Sequence, residues 1–230
     1  MLSVMLAGSA KMAVFLNSMQ AVRSLEQQPH GHASALAALR EATRAGHDAL
    51  ESLLRLDGAF GLDHYAGVLW GFAAFLPPWE QQLRAALPAP LRAWFDARRR
   101  APLVQQDLRA LGLEAAGAAK VAPLVPLPTA AAAFGSLYVM EGSALGGQLI
   151  SRGLAERHGI VPTNGGAYFF GAGPGTGALW REFRGLLERN VTTPEACEQA
   201  CTAAVQTFDA LAATFRLHLP SPLPHEPSAA

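Results

Sequence analysis

Apolar residues recur at helical spacing through most of the chain between residues 34 and 216, and strand-like alternation of Thr, Ile and Val is scarce. Ser34 is a good N-cap, so the first helix is expected to start there and continue to Leu56, where Asp57-Gly58 ends it. A second is expected after Asp63, running past Trp70 and Phe72 to about Leu87, with Pro77-Pro78 kinking or dividing it. Shorter helices are expected around 91–99 and 103–111, and the run Arg98, Arg99, Arg100 reads as a solvated helix end. Residues 112–128 mix small residues and prolines. Residues 161–177 read as a loop holding Tyr168-Phe169-Phe170 and the cluster Gly171-Ala172-Gly173-Pro174-Gly175. No strand precedes that cluster, so it is not a dinucleotide-binding turn. Two further helices, 178–190 and 194–216, close the pattern, the second with Thr193 as N-cap and Pro194 at its first position.

The longest pattern lies between those parts. Phe134, Leu137, Tyr138, Leu145, Leu149 and Leu154 keep helical spacing over 129–158 with no proline among them. Five glycines interrupt the same stretch: Gly135, Gly142, Gly146, Gly147 and Gly153. Each costs a helix interior about 1 kcal/mol relative to alanine, so their number asks for a reason. Gly135, Gly142, Gly146 and Gly153 fall on one face, which leaves it nearly bare of side chains. Either another helix or a planar ligand can lie against such a face, and Gly146-Gly147 is where the helix could kink.

At 230 residues, the chain is long enough to bury a full core in one domain. Acidic and basic side chains balance at 18 each, so nothing pulls it towards nucleic acid or an acidic membrane. Residues 1–33 read as a flexible N-terminal extension and 217–230 as a disordered Pro-rich tail, leaving 34–216 as the domain. The apolar run 1–16 contains Lys11, lacks a basic start and is too short to span a bilayer; a weak export signal is the minority reading. A soluble, cytoplasmic protein is expected. His30-Gly31-His32 in the extension is a weak metal signal. Cys197 and Cys201 share a stripe with Val205, Phe208 and Phe215, which suggests small core residues in a reducing compartment.

Chemistry concentrates on the first helix. Leu36, Thr43, His47, Leu50 and Leu54 form one seam, so His47 is expected to face the core. A lone inward histidine is more often a satisfied core residue than a ligand, but Glu51 lies one turn later, where a carboxylate can fix the ring's tautomer and aim its other nitrogen. Arg40 and Arg44 flank that face. Two cations at the rim of an apolar cleft suit a flat ligand with carboxylates on one edge, and each singly is an ordinary solvated residue. Together with the glycine face, these features suggest haem.

Two motifs turn that suggestion into a resemblance. Leu39-Arg40-Glu41-Ala42-Thr43-Arg44-Ala45-Gly46-His47-Asp48-Ala49-Leu50-Glu51 resembles the proximal helix of the haem oxygenases, more closely the branch associated with bacterial phytochromes. Tyr138-Val139-Met140-Glu141-Gly142-Ser143-Ala144-Leu145-Gly146-Gly147-Gln148 resembles their distal helix, and Phe169, Phe170, Gly171, Thr176, Gly177 and Trp180 resemble the loop and helix start that follow. The resemblance implies an all-α, single-domain helical bundle with haem between a proximal and a kinked distal helix. It implies His47 as the axial iron ligand and Glu51 as its carboxylate partner. Gly142 and Gly146 would lie over the haem, with Gly142, Ser143 and Gly146 forming the catalytic segment. Arg40, Arg44 and Arg184 would meet the propionates, and Phe208 and Phe215 would wall the pocket. Ser143 stands where the animal enzymes have an aspartate that organises proton-delivering water.

The implied reaction is oxidative cleavage of haem, cofactor and substrate at once, to biliverdin, carbon monoxide and ferrous iron. A ferredoxin or flavoprotein reductase is the implied electron donor, a bacterial phytochrome a possible recipient of the product. The rival is a haem carrier or sensor that leaves its ligand intact. It fits less well, because neither Gly142 nor Gly146 can supply a sixth ligand. A di-iron oxygenase would want Glu-x-x-His pairs, and none of the seven histidines has a glutamate three residues before it. A nucleophilic-cysteine hydrolase lacks an evident base for Cys197 or Cys201.

Overall fold

The computed structural model describes residues 34–56, 60–113 and 124–219, and every regular element among them is helical. In chain order the helices are α1 (Ala35–Leu54), α2 (Leu62–Ala86), α3 (Arg92–Asp96, after a 3-10 turn Ala89–Leu91), α4 (Ala101–Ala110), α5 (Ala130–His158), α6 (Ala167–Phe170), α7 (Thr176–Asn190, after the 3-10 turn Gly173–Gly175) and α8 (Pro194–His218). The side chains of Ser34, Thr129 and Thr193 accept hydrogen bonds from the first turns of α1, α5 and α8, as N-caps do. Helix α1 ends earlier than expected, at Leu54, because Arg55 turns into the left-handed region at φ 45°. Asp57-Gly58 and His30-Gly31-His32 lie outside the described residues, as does the whole N-terminal extension. The C-terminal tail begins two residues later than expected, since α8 runs through Leu217 to His218.

Neither the proline pair nor the glycine pair divides its helix. Pro77 and Pro78 sit inside α2, which continues through them to Ala86. They forfeit two backbone donors, but Phe75, Leu76 and Trp79 are buried on either side and their packing carries the helix past the gap. Helix α5 likewise runs without interruption through Gly146 and Gly147.

Helix α8 is the centre of the arrangement. It packs along both α1 and α5 and also touches α2. Its buried face is mostly alanine and threonine, from Ala200 and Ala203 to Thr214, which lets neighbouring backbones approach closely. At Gly135 that approach is direct: a Cβ there would collide with the Ala200 carbonyl. A buried polar chain pins the same region, with Trp79 Nε1 donating to Ser136 Oγ at 2.9 Å and the Thr207 hydroxyl 2.8 Å from that oxygen. Full burial of Leu39, Phe134, Phe183 and Phe215 contributes about 1.5–3 kcal/mol each. By contrast α1 and α5 hardly touch one another among the described residues; α8 and α7 hold them apart.

Candidate active site

The apolar seam of α1 is buried at Leu36, Leu39 and Thr43 and then opens. His47, Leu50, Leu53 and Leu54 are only partly covered, and the His47 side chain is 39% exposed. His47, expected to face the core, stands instead at its edge. Glycine at 46 makes this possible. A Cβ there would come within 2.9 Å of Phe208 Cβ, so Gly46 lets α1 settle on α8 with the Phe208 ring beside His47, centroids 6.2 Å apart and nearly edge-on. Nδ1 of His47 faces carboxylate oxygens of Glu51 and Asp48, each at 3.7 Å. That is too long for a hydrogen bond, but it sets two carboxylates beside one ring nitrogen. The three groups lie within 4.8 Å of one another.

On α5 the change in cover is abrupt. Residues 131–137 and 139–141 are buried; from Gly142 the helix is half-open, with Ser143 exposed and Leu145, Gly146 and Leu149 partly covered. A Cβ at Gly142 would meet only the Trp180 ring of α7, at an ordinary 3.9 Å. The glycine face thus divides. Gly135 serves helix packing, while Gly142 has space beside it; off that face, a Cβ at Gly147 would come within 3.0 Å of the Phe169 carbonyl oxygen. Ser143 Oγ donates to the Met140 carbonyl at 2.8 Å, and Arg100 Nη1 reaches it at 3.5 Å.

The residues expected at the edge are spread out. Arg40 is half-buried on α1, and Arg184 is half-buried on α7, a helix that touches α1. Arg44 is exposed and binds Glu41 through both terminal nitrogens, at 2.7 and 3.0 Å. Freeing it costs little, since exposed pairs contribute about 0–1 kcal/mol. Of the two phenylalanines expected to wall the pocket, Phe208 stands beside His47. Phe215 does not: its ring fills the notch at Gly71 and packs edge-on against Phe72, 4.8 Å between centroids, in the α2–α8 seam.

The arginine run is the clearest correction. Arg98 is buried, its side chain 6% exposed, and pairs with Glu141 of α5 at 2.9 Å and Glu182 of α7 at 2.6 Å. Arg99 pairs with Glu80, whose other oxygen accepts the backbone N–H groups of Arg100 and Ala101 and so caps α4. Burial pushes the Glu141 carboxyl above its ordinary range, against the pull of Arg100 and Arg98. A signal for this was present in the sequence: Glu141 interrupts an apolar helix, and a buried carboxylate needs a cation. The sequence also hid Asp107, fully buried, which accepts from the N–H groups of Ala167 and Tyr168 at 2.7 and 2.8 Å. The half-exposed positions of Cys197 and Cys201, and of Val205 at 38%, correct their reading as core.

These features fit a flat, largely apolar ligand carrying an iron. Helix α1 carries the partly exposed His47 imidazole, α5 carries a partly covered glycine segment with space beside Gly142, and both helices pack on α7 and α8.

The sequence profile of the family described as "Heme oxygenase" matches residues 33–216. A protein named "Heme oxygenase" from Xanthomonas campestris pv. campestris (strain 8004) is 34% identical over 152 residues, covering 66% of this chain and 88% of that one. The fold is similar to that of the NO- and CO-bound heme oxygenase of Neisseria meningitidis, with a TM-score of 0.65 and 23% identity over 81% of this chain and 92% of that chain. It is similar also to heme oxygenase 2 from Chlamydomonas reinhardtii, solved without heme, with a TM-score of 0.66 and 22% identity over 84% of this chain and 100% of that chain.

Proposed function

The chain belongs to the haem oxygenase family, and on that premise we propose that His47 is its iron ligand, Gly142, Ser143 and Gly146 its catalytic segment, and a bacterial phytochrome the recipient of its product. It is a haem-degrading enzyme, with haem as cofactor and substrate. When bound, haem supplies the iron at which dioxygen is reduced and the macrocycle that is opened to biliverdin, with release of carbon monoxide and ferrous iron.

The chain's own residues have separable tasks. His47 offers Nε2 as the ligand nitrogen, with the carboxylates of Glu51 and Asp48 3.7 Å from Nδ1, close enough for one of them to take up its proton as a partner when the ligand binds. An imidazole donates less charge than a thiolate, which suits attack on the macrocycle over formation of a stronger oxidant. Gly142 and Gly146 admit small molecules that any larger side chain would displace. Ser143 offers a hydroxyl rather than a carboxylate for proton delivery, its own proton held by the Met140 carbonyl and its oxygen near the Arg100 guanidinium. Arg40, Arg44 and Arg184 are proposed propionate partners, and Phe208 a pocket wall; the place of Phe215 in the α2–α8 seam gives it a packing role instead. A ferredoxin or flavoprotein reductase is proposed as electron donor. The phytochrome link rests on the likeness of the α1 and α5 motifs to that branch.

The observation that carries this reading is the partial cover of α1 from His47 and of α5 from Gly142, on two helices that hardly touch one another among the described residues and that both pack on α7 and α8. Its test uses the full chain with haemin and a reductant in air. Loss of the Soret band and growth of a broad red absorption are expected. His47→Ala should stop the conversion while retaining part of the affinity, because burial of the macrocycle supplies much of it. Gly146→Val should bind ferric haem and fail to convert it. Wild-type conversion by either variant would reassign that wall of the site. Covalent chromophore formation on an apo-phytochrome, supplied only with haem, reductant and this enzyme, tests the proposed recipient.

A further inference from the structure

We infer that Arg98 is a positioning residue for the reaction: its buried guanidinium fixes the height and tilt of the α5 segment that begins at Gly142. The inference rests on the reading that this segment lines the haem pocket. Arg98 follows α3, yet its side-chain hydrogen bonds all go to α5 and α7. Nη1 binds Glu141 Oε2 at 2.9 Å, Nη2 binds Glu182 Oε2 at 2.6 Å, and both nitrogens reach the Leu179 carbonyl at 3.4 Å. The Trp94 ring covers one face at 4.3 Å and is itself tied to Glu182 by a 2.9 Å hydrogen bond from Nε1.

Where those contacts fall on α5 and α7 is the point. Glu141 immediately precedes Gly142, and Leu179 immediately precedes Trp180, the ring that faces Gly142. One planar cation is therefore bound to both sides of the Gly142–Trp180 contact, one residue before each partner. Arg100 repeats the pattern two residues on, reaching Ser143, two residues after Glu141. Beyond Glu141 the helix loses its continuous cover, so these polar contacts hold the start of the glycine segment, while Gly147 against Phe169 and the Gln148 bond to the Phe170 carbonyl hold its far end. A buried ion pair is weak evidence for stability, because apolar residues of similar volume often replace one without loss. Apolar replacements cannot reproduce the fork's directional hold on two helices at once.

The test separates that hold from stability. In the full chain, Arg98→Met/Glu141→Met removes both charges together and should melt close to wild type. Backbone amides from Glu141 to Gly147 in the haem-free protein should nonetheless exchange about tenfold faster, with α8 unchanged. With haemin bound, single-turnover verdin formation should slow by about tenfold and the biliverdin isomer mixture should change. Arg98→Lys, which keeps the charge and loses the fork, should fall between, and serves alone if the double variant does not fold. Wild-type exchange, rate and isomer composition in these variants would overturn the inference, as would a rate that falls only with the folded fraction. Gly146→Val, run alongside, separates two failures. If it blocks turnover while the Arg98 variants behave as wild type, the pocket reading stands and Arg98 has no part in it. If Gly146→Val also turns over normally, the pocket reading fails and takes the inference with it.

Discussion

Gly46 carries more of the site than its size suggests. It is the point at which α1 meets the Phe208 side chain, one residue before the proposed ligand. In Gly46→Ala the new Cβ would lie 2.9 Å from Phe208 Cβ and 3.1 Å from Cγ, so the two helices must part or the ring must turn. A loss of about 1–3 kcal/mol is expected, only partly offset by alanine's better helix propensity. Melting of the haem-free protein measures it, and a shifted Soret maximum in the haemin complex would report the displaced His47. A variant that melts as high as wild type would show that this approach is looser than it looks. At Cys201, burial and then the neighbouring Cys197 push the thiol up to about 11. Alkylation should be slow at neutral pH and keep accelerating as pH rises towards that value, since the thiolate is the attacking form; a plateau near pH 8 would contradict it. His47, Glu51 and the glycines were legible as residues because their chemistry and spacing are local. Arg98 was not. A run of three arginines reads as solvated unless its carboxylate partner is known, and Glu141 lies 43 residues away along the chain.

At the scale of elements, two glycines of one helix should respond with opposite sign. Gly135→Ala forces a methyl into the Ala200 carbonyl, backbone against backbone, where no side chain can yield. Destabilisation of about 1–3 kcal/mol or more is expected. Gly142→Ala meets only the Trp180 ring at 3.9 Å, so its better helix propensity should leave the haem-free protein unchanged or up to about 1 kcal/mol more stable. Paired melting curves decide it; equal losses would mean that the whole glycine face serves packing. A second test concerns α6. In Asp107→Leu the N–H groups of Ala167 and Tyr168 lose their acceptor inside the core, at an expected cost of about 1–3 kcal/mol each. The turn-forming residues around α6 read as loop because this support comes from α4, 60 residues earlier. Helix starts were legible at Ser34, Thr129 and Thr193, since an N-cap acts within three residues. The passage of α2 through Pro77 and Pro78 was not, because packing on the rest of the core decides it.

At the scale of the molecule, the two helices that carry the proposed site do not support each other. Helix α1 leans on α8 and α7, and α5 leans on α8, α7, α6 and α2. The stretches from His47 on α1 and from Gly142 on α5 are for the most part only partly covered or exposed. Local opening follows cover, so these stretches should exchange their amides soonest in the haem-free protein, and α8 last. A ligand seated between them supplies the contact that the protein lacks. Haemin at 100 times its dissociation constant should raise stability by about 2.7 kcal/mol. The gain in protection should be uneven, concentrated in the second half of α1 and in α5 beyond Gly142, and small in α8. Hydrogen exchange with and without haemin reads this directly. His47→Ala should lose most of the gain on α1 and keep more of it on α5, because removing the ligand side chain frees one wall and leaves the glycine segment still covered by the macrocycle. Uniform protection across all the helices would instead mean that haem stabilises the fold as a whole without bridging these two. Protection confined to α2 or to the α2–α8 seam would move the pocket to where Phe215 lies.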